Sequence, residues 1–472
     1  MRFTPSIRQC VRLHLIGKKM QQLPADFVEN MRQQLGEDEA ARLFEALDGT
    51  SPVSVRINPY KWQGGEWGAS VPWSQYGRYL AERPQFTTDI PFVAGAYYVQ
   101  EAGSQFIEHI LRSEDIESGK ILDMCAAPGG KSTLYSTVVG NRGLVVANEY
   151  VRNRANILAD NIRKWGLGNV VVTNNDPQHI AQFESWFDVV AVDAPCSGEG
   201  MFRKDEVART EWSLQSVQMC AARQRSILEQ AWQSLKGGGV MIYSTCTYNT
   251  TEDEGMLEWM SSEWGEDIEP CSSIEVPESW GIESVKVGNF QGFRFFPHRV
   301  SSEGFFVAVA RKRADGSRAI TPKARKKVMT DAAKDAVKEL SKWVTEPSAI
   351  RFAEVAESYY GYPAEYYEDI KALASSLTVI YSGVEMGQIF KGKLKPEWSL
   401  SQSVWLNKEA VATADVETDI ALDYLRKRDI GAAHFEDGIN LLLCQNYPIG
   451  FVKRIGGRVN NMYPNSLKIN NL

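Results

Sequence analysis

The sequence contains no run of about 20 apolar residues, which is the length that a membrane-spanning helix needs. It also lacks a C-x-x-C pair and any cluster of histidine and cysteine with the spacing of a zinc site. Its seven cysteines are odd in number and widely separated, which does not suit a disulfide framework. We therefore expect a cytoplasmic protein in a reducing environment, with no metal ion and no membrane contact.

The first 19 residues contain no acidic side chain, although they carry five basic ones. Arg12 and His14 interrupt the only apolar run of this segment, so the hydrophobic core of a signal peptide is missing. A transit peptide is the alternative. We interpret residues 1–19 as an upstream extension and Met20 as the start of the functional chain.

Positive charge is outnumbered in the chain as a whole, since 59 acidic residues against 52 lysines and arginines give a net charge of −7. This balance argues against a protein that coats nucleic acid without regard to its sequence. Two segments are nevertheless basic. Residues 311–327 carry eight basic residues against one acid, and the last 22 residues carry four basic residues and no acid. Such segments are usually solvated surface, but these two leave contact with a polyanion open.

Strand and helix patterns alternate from about residue 100 onwards. The strands are continuous apolar runs, which is typical of strands that are covered on both faces. We therefore predict an α/β domain with a parallel, doubly wound, Rossmann-like sheet. The predicted strands are residues 120–126, 143–149, 170–176, 187–195 and 238–247.

Two further patterns refine this domain. Residues 293–299 and 304–312 predict strands joined by a short loop, which must be antiparallel and would form an edge of the sheet. Residues 151–165 predict an amphipathic helix. Its apolar face would hold Val151, Ala155, Leu158, Ile162 and Trp165.

The 472 residues exceed the size of one hydrophobic core, so we expect several domains. We predict an N-terminal domain at 1–95, the α/β domain at 96–313, a basic linker and helical segment at 314–372, and a β-rich domain at 373–472.

The N-terminal domain begins with a helical pattern over residues 22–48 that is broken near Gly36. Residues 52–61 predict a short strand after it.

Small residues follow the first predicted strand of the α/β domain, where the chain must turn into a helix. Gly129 and Gly130 let backbone N–H groups approach a ligand at the helix N-terminus. A P-loop for a nucleoside triphosphate is one interpretation, since Lys131 and Ser132 fit its end. Cys125 occupies the place of that motif's first glycine, so the pattern favours another ligand.

Two acidic residues favour a nucleoside cofactor. Glu149 ends the second strand, where an acid accepts hydrogen bonds from both ribose hydroxyls. Asp176 ends the third strand, where it could accept a hydrogen bond from an adenine amino group. The alternative is that both acids only cap the helices that follow them. Two acids at successive strand ends beside a glycine turn favour the cofactor.

Two cysteines follow neighbouring predicted strands, at the sheet edge where open α/β folds hold their active sites. Cys196 lies in DAPCSGEG and Cys246 lies in YSTCTYN. A cysteine in a strand is usually a small buried hydrophobe, but small polar residues flank both of these. We therefore expect both thiols to be reactive. Asp193 could hydrogen-bond a substrate, and Lys131 could lower a thiolate pKa or hold the substrate.

The combination and order of DMCAAPGGKST, DAPCSGEG and STCTYN resemble the RNA cytosine-5 methyltransferases of the NSUN and Fmu type. The resemblance covers residues 97–312, where it includes YYVQEAGS (97–104), and extends back to SVRIN (54–58). The loop at 202–212 departs from it, because Glu206 stands where the family usually has proline.

The resemblance implies a methyltransferase fold that uses S-adenosyl-L-methionine. It also implies Cys246 as the nucleophile that adds to carbon 6 of cytosine, which makes carbon 5 reactive. It implies that Cys196 promotes release of the product. Asp193 faces either the base or the cofactor. The implied cofactor contacts are Cys125, Ala126, Ala127, Pro128, Gly129, Gly130, Lys131, Glu149, Asp176 and Asp193.

The end of the chain, CQNYPIGFVKRIGGRVNNMYP, resembles the PUA-like RNA-binding domain of a ribosomal branch of the family. This implies action on a specific cytidine of 16S ribosomal RNA, as RNA or in the small subunit. We expect the protein to be a monomer. The alternatives are the same reaction on tRNA or another RNA, a methyltransferase of protein or DNA, and a non-catalytic RNA-binding ribosome-assembly factor. The expected RNA contacts are Lys453, Arg454, Arg458 and Tyr463.

Overall fold

The computed structural model describes residues 22–469, so the predicted extension at 1–19 lies outside the described residues. The described part of the chain begins with two packed helices, Ala25–Leu35 and Glu37–Leu47. The break falls at Gly36, whose φ of +81° lies in the left-handed region that favours glycine. The predicted break in the helical pattern is confirmed.

A four-stranded antiparallel sheet follows these helices, and the predicted strand at 52–61 is confirmed as Val53–Ile57. This strand pairs with Tyr97–Val99, which leads directly into the α/β domain. In spatial order the strands are Ala69–Ser70, Gly77–Leu80, Val53–Ile57 and Tyr97–Val99. The N-terminal sheet thus lies next to the start of the α/β domain.

The α/β domain is built on five parallel strands, as predicted. In spatial order they are Leu235–Thr245, Phe187–Asp193, Gly119–Asp123, Gly143–Asn148 and Val170–Thr173. The first of these strands along the chain, Gly119–Asp123, is the central one. The next two strands in the chain add on one side of it, and the last two add on the other side. Open sheets of this kind bind ligands beyond the carboxyl ends of the strands at the point where the order reverses. Here that point lies between Gly119–Asp123 and Phe187–Asp193.

Antiparallel strands extend this sheet at both sides. The predicted edge hairpin is confirmed as Phe290–Phe295 and Phe305–Lys312. Beyond it lies the strand Glu283–Val287, and the short strand Ile268–Glu269 pairs with Phe305–Lys312. At the opposite edge Val379–Ser382, from far along the chain, pairs with Val170–Thr173. The sheet is therefore wider than the sequence pattern predicted.

Helices cover both faces of this sheet and bury its apolar strands. The predicted helix at 151–165 is observed as Arg152–Trp165, and Val151 is wrongly placed on its buried face. Val151 is the residue before the first helical turn, so its side chain is 47% exposed. No helix within residues 22–469 is both long enough and apolar enough to cross a membrane. The other helices of the domain are Phe106–Ser113, Gly130–Val139, Pro177–Ile180, Glu206–Glu211, Leu214–Ser234 and Glu254–Trp264.

Two further sheets follow, and their content corrects the prediction of a helical segment within residues 314–372. The helices Lys334–Leu340 and Tyr367–Ser376 are present, but Ile350–Val355 and Ser358–Pro363 form a β-hairpin. Its two turn residues, Ala356 and Glu357, both have positive φ. This geometry suits the right-handed twist of a hairpin. Ala-Glu is not one of the dipeptides that typically indicate such a turn, so the sequence pattern does not predict the hairpin.

The first of these two sheets has five antiparallel strands, and the second has four strands, of which Ala412–Asp415 pairs in parallel with Gly438–Cys444 and the others pair antiparallel. The first contains Thr330–Asp331, Ile350–Val355, Ser358–Pro363, Val384–Phe390 and Lys393–Pro396. The second contains Ala412–Asp415, Gly438–Cys444, Tyr447–Ile455 and Arg458–Asn461, with the helices Trp398–Gln402 and Thr418–Leu425 beside it. The predicted domain boundaries remain predictions.

The N-terminal helices pack on the loops that carry the two candidate cysteines. Phe27 is fully buried, and its ring lies 5.0 Å from that of Phe202 and 5.8 Å from that of Trp212, both in the chain after Cys196. It also faces the ring of Tyr248, two residues after Cys246, at 6.3 Å. The helices therefore cover the outer side of both loops with apolar surface.

Replacing this contact should destabilise the protein measurably. We expect Phe27→Ala to lower the free energy of unfolding by about 3–5 kcal/mol, because it leaves a cavity among aromatic rings. Urea-induced unfolding followed by tryptophan fluorescence measures the change. The matched control is Ile157→Ala, since Ile157 is 54% exposed and its loss should cost less than about 0.5 kcal/mol. Equal effects of the two substitutions would contradict this account.

Candidate active site

The glycine turn after the first parallel strand starts the helix Gly130–Val139 at the carboxyl edge of the sheet. Gly129 precedes that helix with a φ of +114°, and a Cβ there would lie 3.0 Å from the Leu158 side chain. A larger residue would therefore strain the backbone and meet the neighbouring helix. The turn leaves helical N–H groups directed towards the space above the sheet.

A cavity of about 510 Å³ opens on one side of this turn. Glu149 and Asp176 both line it, as does Cys125. Glu149 accepts a hydrogen bond from the backbone N–H of Val151 at 2.8 Å, and Asp176 accepts one from that of Gln178 at 3.0 Å. Both acids therefore cap the chain that follows and also line the cavity, so the two interpretations of the sequence are compatible.

A smaller cavity of about 160 Å³ lies on the other side of Cys125. Its lining includes Ala126, Ala127, Pro128, Gly130, Lys131 and Asp193. The Nζ atom of Lys131 lies 2.8 Å from Oδ2 of Asp193. Asp193 Oδ1 also accepts a hydrogen bond from the Ser244 hydroxyl at 2.8 Å. Two cavities that meet at Cys125 fit a ligand with a nucleoside part and a smaller charged part.

Asp123 is a candidate ligand-binding residue that the sequence reasoning missed. Its side chain is buried, and Oδ2 accepts a hydrogen bond from Ser132 Oγ at 2.7 Å. Oδ1 has no hydrogen-bond partner among the described residues, and Asp123 lines the smaller cavity. Burial raises the pKa of Asp123 to about 7. In the structure Asp123 ends its strand, whereas the predicted strand extends to residue 126, so the sequence pattern places Asp123 inside the strand and not at its end.

The two candidate cysteines meet above the ends of neighbouring strands. Their Sγ atoms are 3.0 Å apart, both are free thiols, and both side chains are half-buried. The hydrogen bond with Cys246 and then burial raise the pKa of Cys196 well above its ordinary value. Cys196 is therefore a protonated thiol at neutral pH while it stays bonded to Cys246.

A reciprocal pair of buried carboxylates, Glu199 and Glu252, joins the two cysteine loops. Glu199 lies in the Cys196 loop and accepts hydrogen bonds from the backbone N–H groups of Tyr248 at 2.7 Å and Asn249 at 3.0 Å, in the Cys246 loop. Glu252 follows the Cys246 loop and accepts a hydrogen bond from the backbone N–H of Ser197 at 3.1 Å. We call this arrangement the carboxylate clamp.

The clamp is completed by side chains and by a close backbone contact. Glu252 also accepts a hydrogen bond from Gln224 Nε2 at 2.7 Å, and both clamp side chains are fully buried. The N–H of Gly200 donates to the Cys246 carbonyl oxygen at 2.8 Å. A Cβ at Gly200 would lie 2.4 Å from the Gly304 carbonyl oxygen, so only glycine allows this approach. The distance between the two thiols is thus set by a dense polar network.

The residues predicted to contact RNA lie in the last sheet, and they differ in exposure. Lys453 and Arg458 are exposed. Arg454 is half-buried and already has protein partners. Its side chain donates a hydrogen bond to the Phe435 carbonyl oxygen and lies 3.5 Å from a carboxylate oxygen of Asp437. Tyr463 is wrong as a base-stacking residue, because it is buried among aromatic neighbours that include Tyr424.

Comparison with known sequences decides the family. The model of the family 16S rRNA methyltransferase RsmB/F matches residues 109–311. The models of the N-terminal domain of 16S rRNA methyltransferase RsmF and of the methyltransferase RsmF PUA domain match residues 23–102 and 412–469. Ribosomal RNA small subunit methyltransferase F of Pectobacterium atrosepticum is 30% identical over 94% of this chain and 96% of its own. The chain belongs to the 16S rRNA methyltransferase RsmB/F family.

The resemblance deduced from the motifs is therefore confirmed, and the protein is an S-adenosylmethionine-dependent methyltransferase with a C-terminal PUA domain. The enzyme of the same name from Erwinia tasmaniensis is 29% identical over 94% of this chain and 96% of its own.

Two solved structures from Pyrococcus horikoshii share the fold. A methyltransferase homolog protein has a TM-score of 0.51 and 26% identity and covers 65% of this chain and 100% of its own. NSun6 has a TM-score of 0.50 and 21% identity and covers 62% of this chain and 99% of its own.

The carboxylate clamp gives a direct test of the site's construction. In Glu252→Gln an amide replaces the acceptor of the Ser197 and Gln224 N–H groups, and a negative charge that helps to raise the pKa of Cys196 is lost. We expect the free energy of unfolding to fall by about 1–3 kcal/mol. We also expect Cys196 to react faster with iodoacetamide at pH 7.5, as measured by peptide mass spectrometry.

Glu229→Gln is the control, since Glu229 is exposed on the helix Leu214–Ser234. Unchanged alkylation of Cys196 in Glu252→Gln would show that the clamp does not govern that thiol.

Proposed function

We propose that this protein methylates carbon 5 of a specific cytidine in 16S ribosomal RNA through a covalent adduct with Cys246. The observation that supports the proposal is the pair of half-buried thiols 3.0 Å apart, at the sheet edge that also carries the two cofactor cavities. The names of the relatives indicate ribosomal RNA as the substrate. The chemistry of a cysteine nucleophile indicates carbon 5 of cytosine as the methylated position.

The cofactor cavities fit the two halves of S-adenosylmethionine, which supplies an activated methyl group. Glu149 and Asp176 would bind the nucleoside half in the larger cavity. In the smaller cavity Asp123 presents a buried carboxylate oxygen that has no hydrogen-bond partner within residues 22–469, which suits the ammonium group of the amino-acid half. Asp193 lies in this smaller cavity, paired with Lys131, and its side chain is 34% exposed.

Cys246 opens the reaction by adding its thiolate to carbon 6 of the base, which gives carbon 5 the electrons to take the methyl group. Burial alone would lower the pKa of Lys131, but Asp193 and other groups that include Cys246 outweigh burial and raise it. Lys131 is therefore a cation at neutral pH, held in place by its ion pair with Asp193. The Cys196 thiol can donate its S–H to the Cys246 sulfur.

Cys196 closes the reaction by removing the proton from carbon 5, after which the bond from carbon 6 to Cys246 breaks. Once Cys246 has become a thioether, it no longer raises the pKa of Cys196 through a hydrogen bond or a charge. The pKa of Cys196 therefore falls, so that the thiol can release its S–H proton to solvent and then accept the carbon 5 proton as a thiolate. This sequence assigns different roles to two thiols of the same site.

Substitution of each cysteine should separate these steps. We expect Cys246→Ala to transfer no methyl group from labelled S-adenosylmethionine to 16S RNA or isolated small subunits. Cys196→Ala should accumulate a protein–RNA adduct that survives denaturing electrophoresis and disappears after ribonuclease treatment. Cys271→Ala, which changes a half-buried cysteine outside the thiol pair, should behave as the wild type.

Nucleoside analysis of the labelled RNA identifies the target. The proposal requires 5-methylcytidine in 16S RNA, while label only in tRNA would overturn the target and keep the chemistry. Cofactor binding without transfer to any ribosomal substrate would favour a ribosome-assembly factor. A Cys196→Ala protein with normal turnover and no adduct would overturn the assigned roles.

The cofactor role of Glu149 can be separated from its capping role. We expect Glu149→Gln to weaken binding of S-adenosylmethionine about tenfold to a hundredfold, because it loses charge-assisted hydrogen bonds to the ligand. Isothermal titration calorimetry gives the affinity, and a thermal melt gives the stability. The control is again Glu229→Gln. A lower melting temperature with unchanged affinity would mean that Glu149 only caps the chain.

A further inference from the structure

The five-stranded sheet that follows the α/β domain ends in a β-hairpin with an unusual outer face. Its strands are Val384–Phe390 and Lys393–Pro396, and Lys391 and Gly392 form the two-residue turn, both with positive φ. The matched family segments end at residue 311 and resume at residue 412, so none of them includes this hairpin.

The strand register places four side chains on the same outer face. Phe390 pairs with Lys393 and Gln388 pairs with Lys395, and all four residues are exposed. The residues between them, Ile389 and Leu394, point to the opposite face and pack in the core of this part of the chain. The outer face is therefore fixed by the packing of the inner one.

Phe390 is the most exposed large hydrophobic residue among residues 22–469, at 69%. The ammonium group of Lys391 lies 5.4 Å from the centre of its ring. The residues of this tip thus combine one open aromatic face with three lysines, namely Lys391, Lys393 and Lys395. We call these four residues the hairpin tip.

The three lysines of the hairpin tip lie in a segment without acidic side chains, between Glu385 and Glu397. Residues 386–396 contain no acid, and within residues 22–469 the three lysines form no ion pair. Glu339, which accepts a hydrogen bond from the Leu394 N–H, is already paired with Lys342 at 2.6 Å. In a chain with a net charge of −7, this is a local positive surface that complements an anion.

Lysines on an edge strand also have a simpler role, since they oppose pairing between exposed sheet edges. Lys393 and Lys395 lie on the edge strand of this sheet and suit that role. Phe390 does not, because an exposed aromatic ring promotes the association that the lysines would prevent. The presence of both Phe390 and the lysines on one face therefore indicates a partner that contacts an aromatic ring and cations at the same time.

We propose that the hairpin tip is a docking site for single-stranded RNA, in which a base stacks on Phe390 and phosphates contact Lys391, Lys393 and Lys395. An aromatic ring flanked by flexible cations is the arrangement that recognises an unpaired nucleotide, because every base has a stacking face and every linkage has a charge. The inference deepens the proposed function by giving the RNA substrate a contact outside the catalytic and PUA domains.

The test measures binding of the full-length protein to a 16S rRNA transcript over a series of KCl concentrations. We expect Phe390→Ala to weaken binding about fivefold to a hundredfold and to leave the salt dependence unchanged, because stacking releases no counterions. The triple variant K391Q/K393Q/K395Q should weaken binding roughly tenfold to fiftyfold at 0.15 M salt. It should also reduce the slope of log affinity against log salt by up to about 2.

The matched control is K286Q/K334Q/K338Q, which removes three exposed lysines that form no ion pair among residues 22–469. It should leave both the affinity and the slope close to the wild-type values. Affinity for S-adenosylmethionine, measured in parallel, should be unchanged in every variant and shows that each one is folded.

Two results would overturn the inference: wild-type RNA affinity in both tip variants, or an equal loss in the control. Higher aggregation of K391Q/K393Q/K395Q with unchanged RNA affinity would leave the lysines only their edge-protecting role. The proposed function fails separately, since it requires 5-methylcytidine made by the wild type. A protein that loses RNA binding with the tip but forms no 5-methylcytidine would keep this inference and reject the other.

Discussion

The carboxylate clamp is the interaction on which the candidate active site depends. Glu199 and Glu252 each reach from one cysteine loop to backbone N–H groups of the other, so neither loop can move alone. Burying two carboxylates is costly unless every oxygen has a donor, and here backbone and side-chain N–H groups supply them. Hydrogen bonds are directional, unlike apolar contacts, and they fix both the spacing and the orientation of the thiols. Burial still raises the pKa of Glu199 to about 7.

Other parts of the fold serve this arrangement by excluding water from it. The helices Ala25–Leu35 and Glu37–Leu47 place Phe27 against residues of both loops. A second long-range contact comes from Arg56, which is buried and donates to Thr133 in the helix after the glycine turn. The N-terminal domain therefore braces the cysteine loops on one side and the cofactor helix on another. A dry, braced site strengthens every charge interaction within it.

Charge is distributed in a way that separates cofactor from RNA. The cavities hold acids, namely Asp123, Glu149, Asp176 and Asp193. The proposed RNA contacts lie instead on hairpins of the two later sheets. In the last sheet the exposed Ile455 pairs with Arg458 and has Lys453 two residues before it, which repeats the combination of cations with one open apolar side chain at the hairpin tip. This separation explains how an acidic protein can present basic surface to RNA.

The sequence by itself determined the parallel sheet, its antiparallel edge hairpin, the glycine turn and the position of both cysteines at strand ends. These features follow from local periodicity and from short motifs in which residue types such as glycine indicate the backbone conformation. The comparisons then confirmed the family that the motifs indicated.

Only the tertiary structure decided which distant groups meet. The clamp pairs residues about 50 positions apart, Val379–Ser382 joins the sheet from far along the chain, and Tyr463 is buried by neighbours that its own segment does not reveal. Contacts of this kind depend on packing between elements. The residues next to a carboxylate or a tyrosine in the sequence do not show which distant donor or ring that side chain will contact. The spacing of the two thiols has the same origin, since it results from contacts that close only when the whole domain folds.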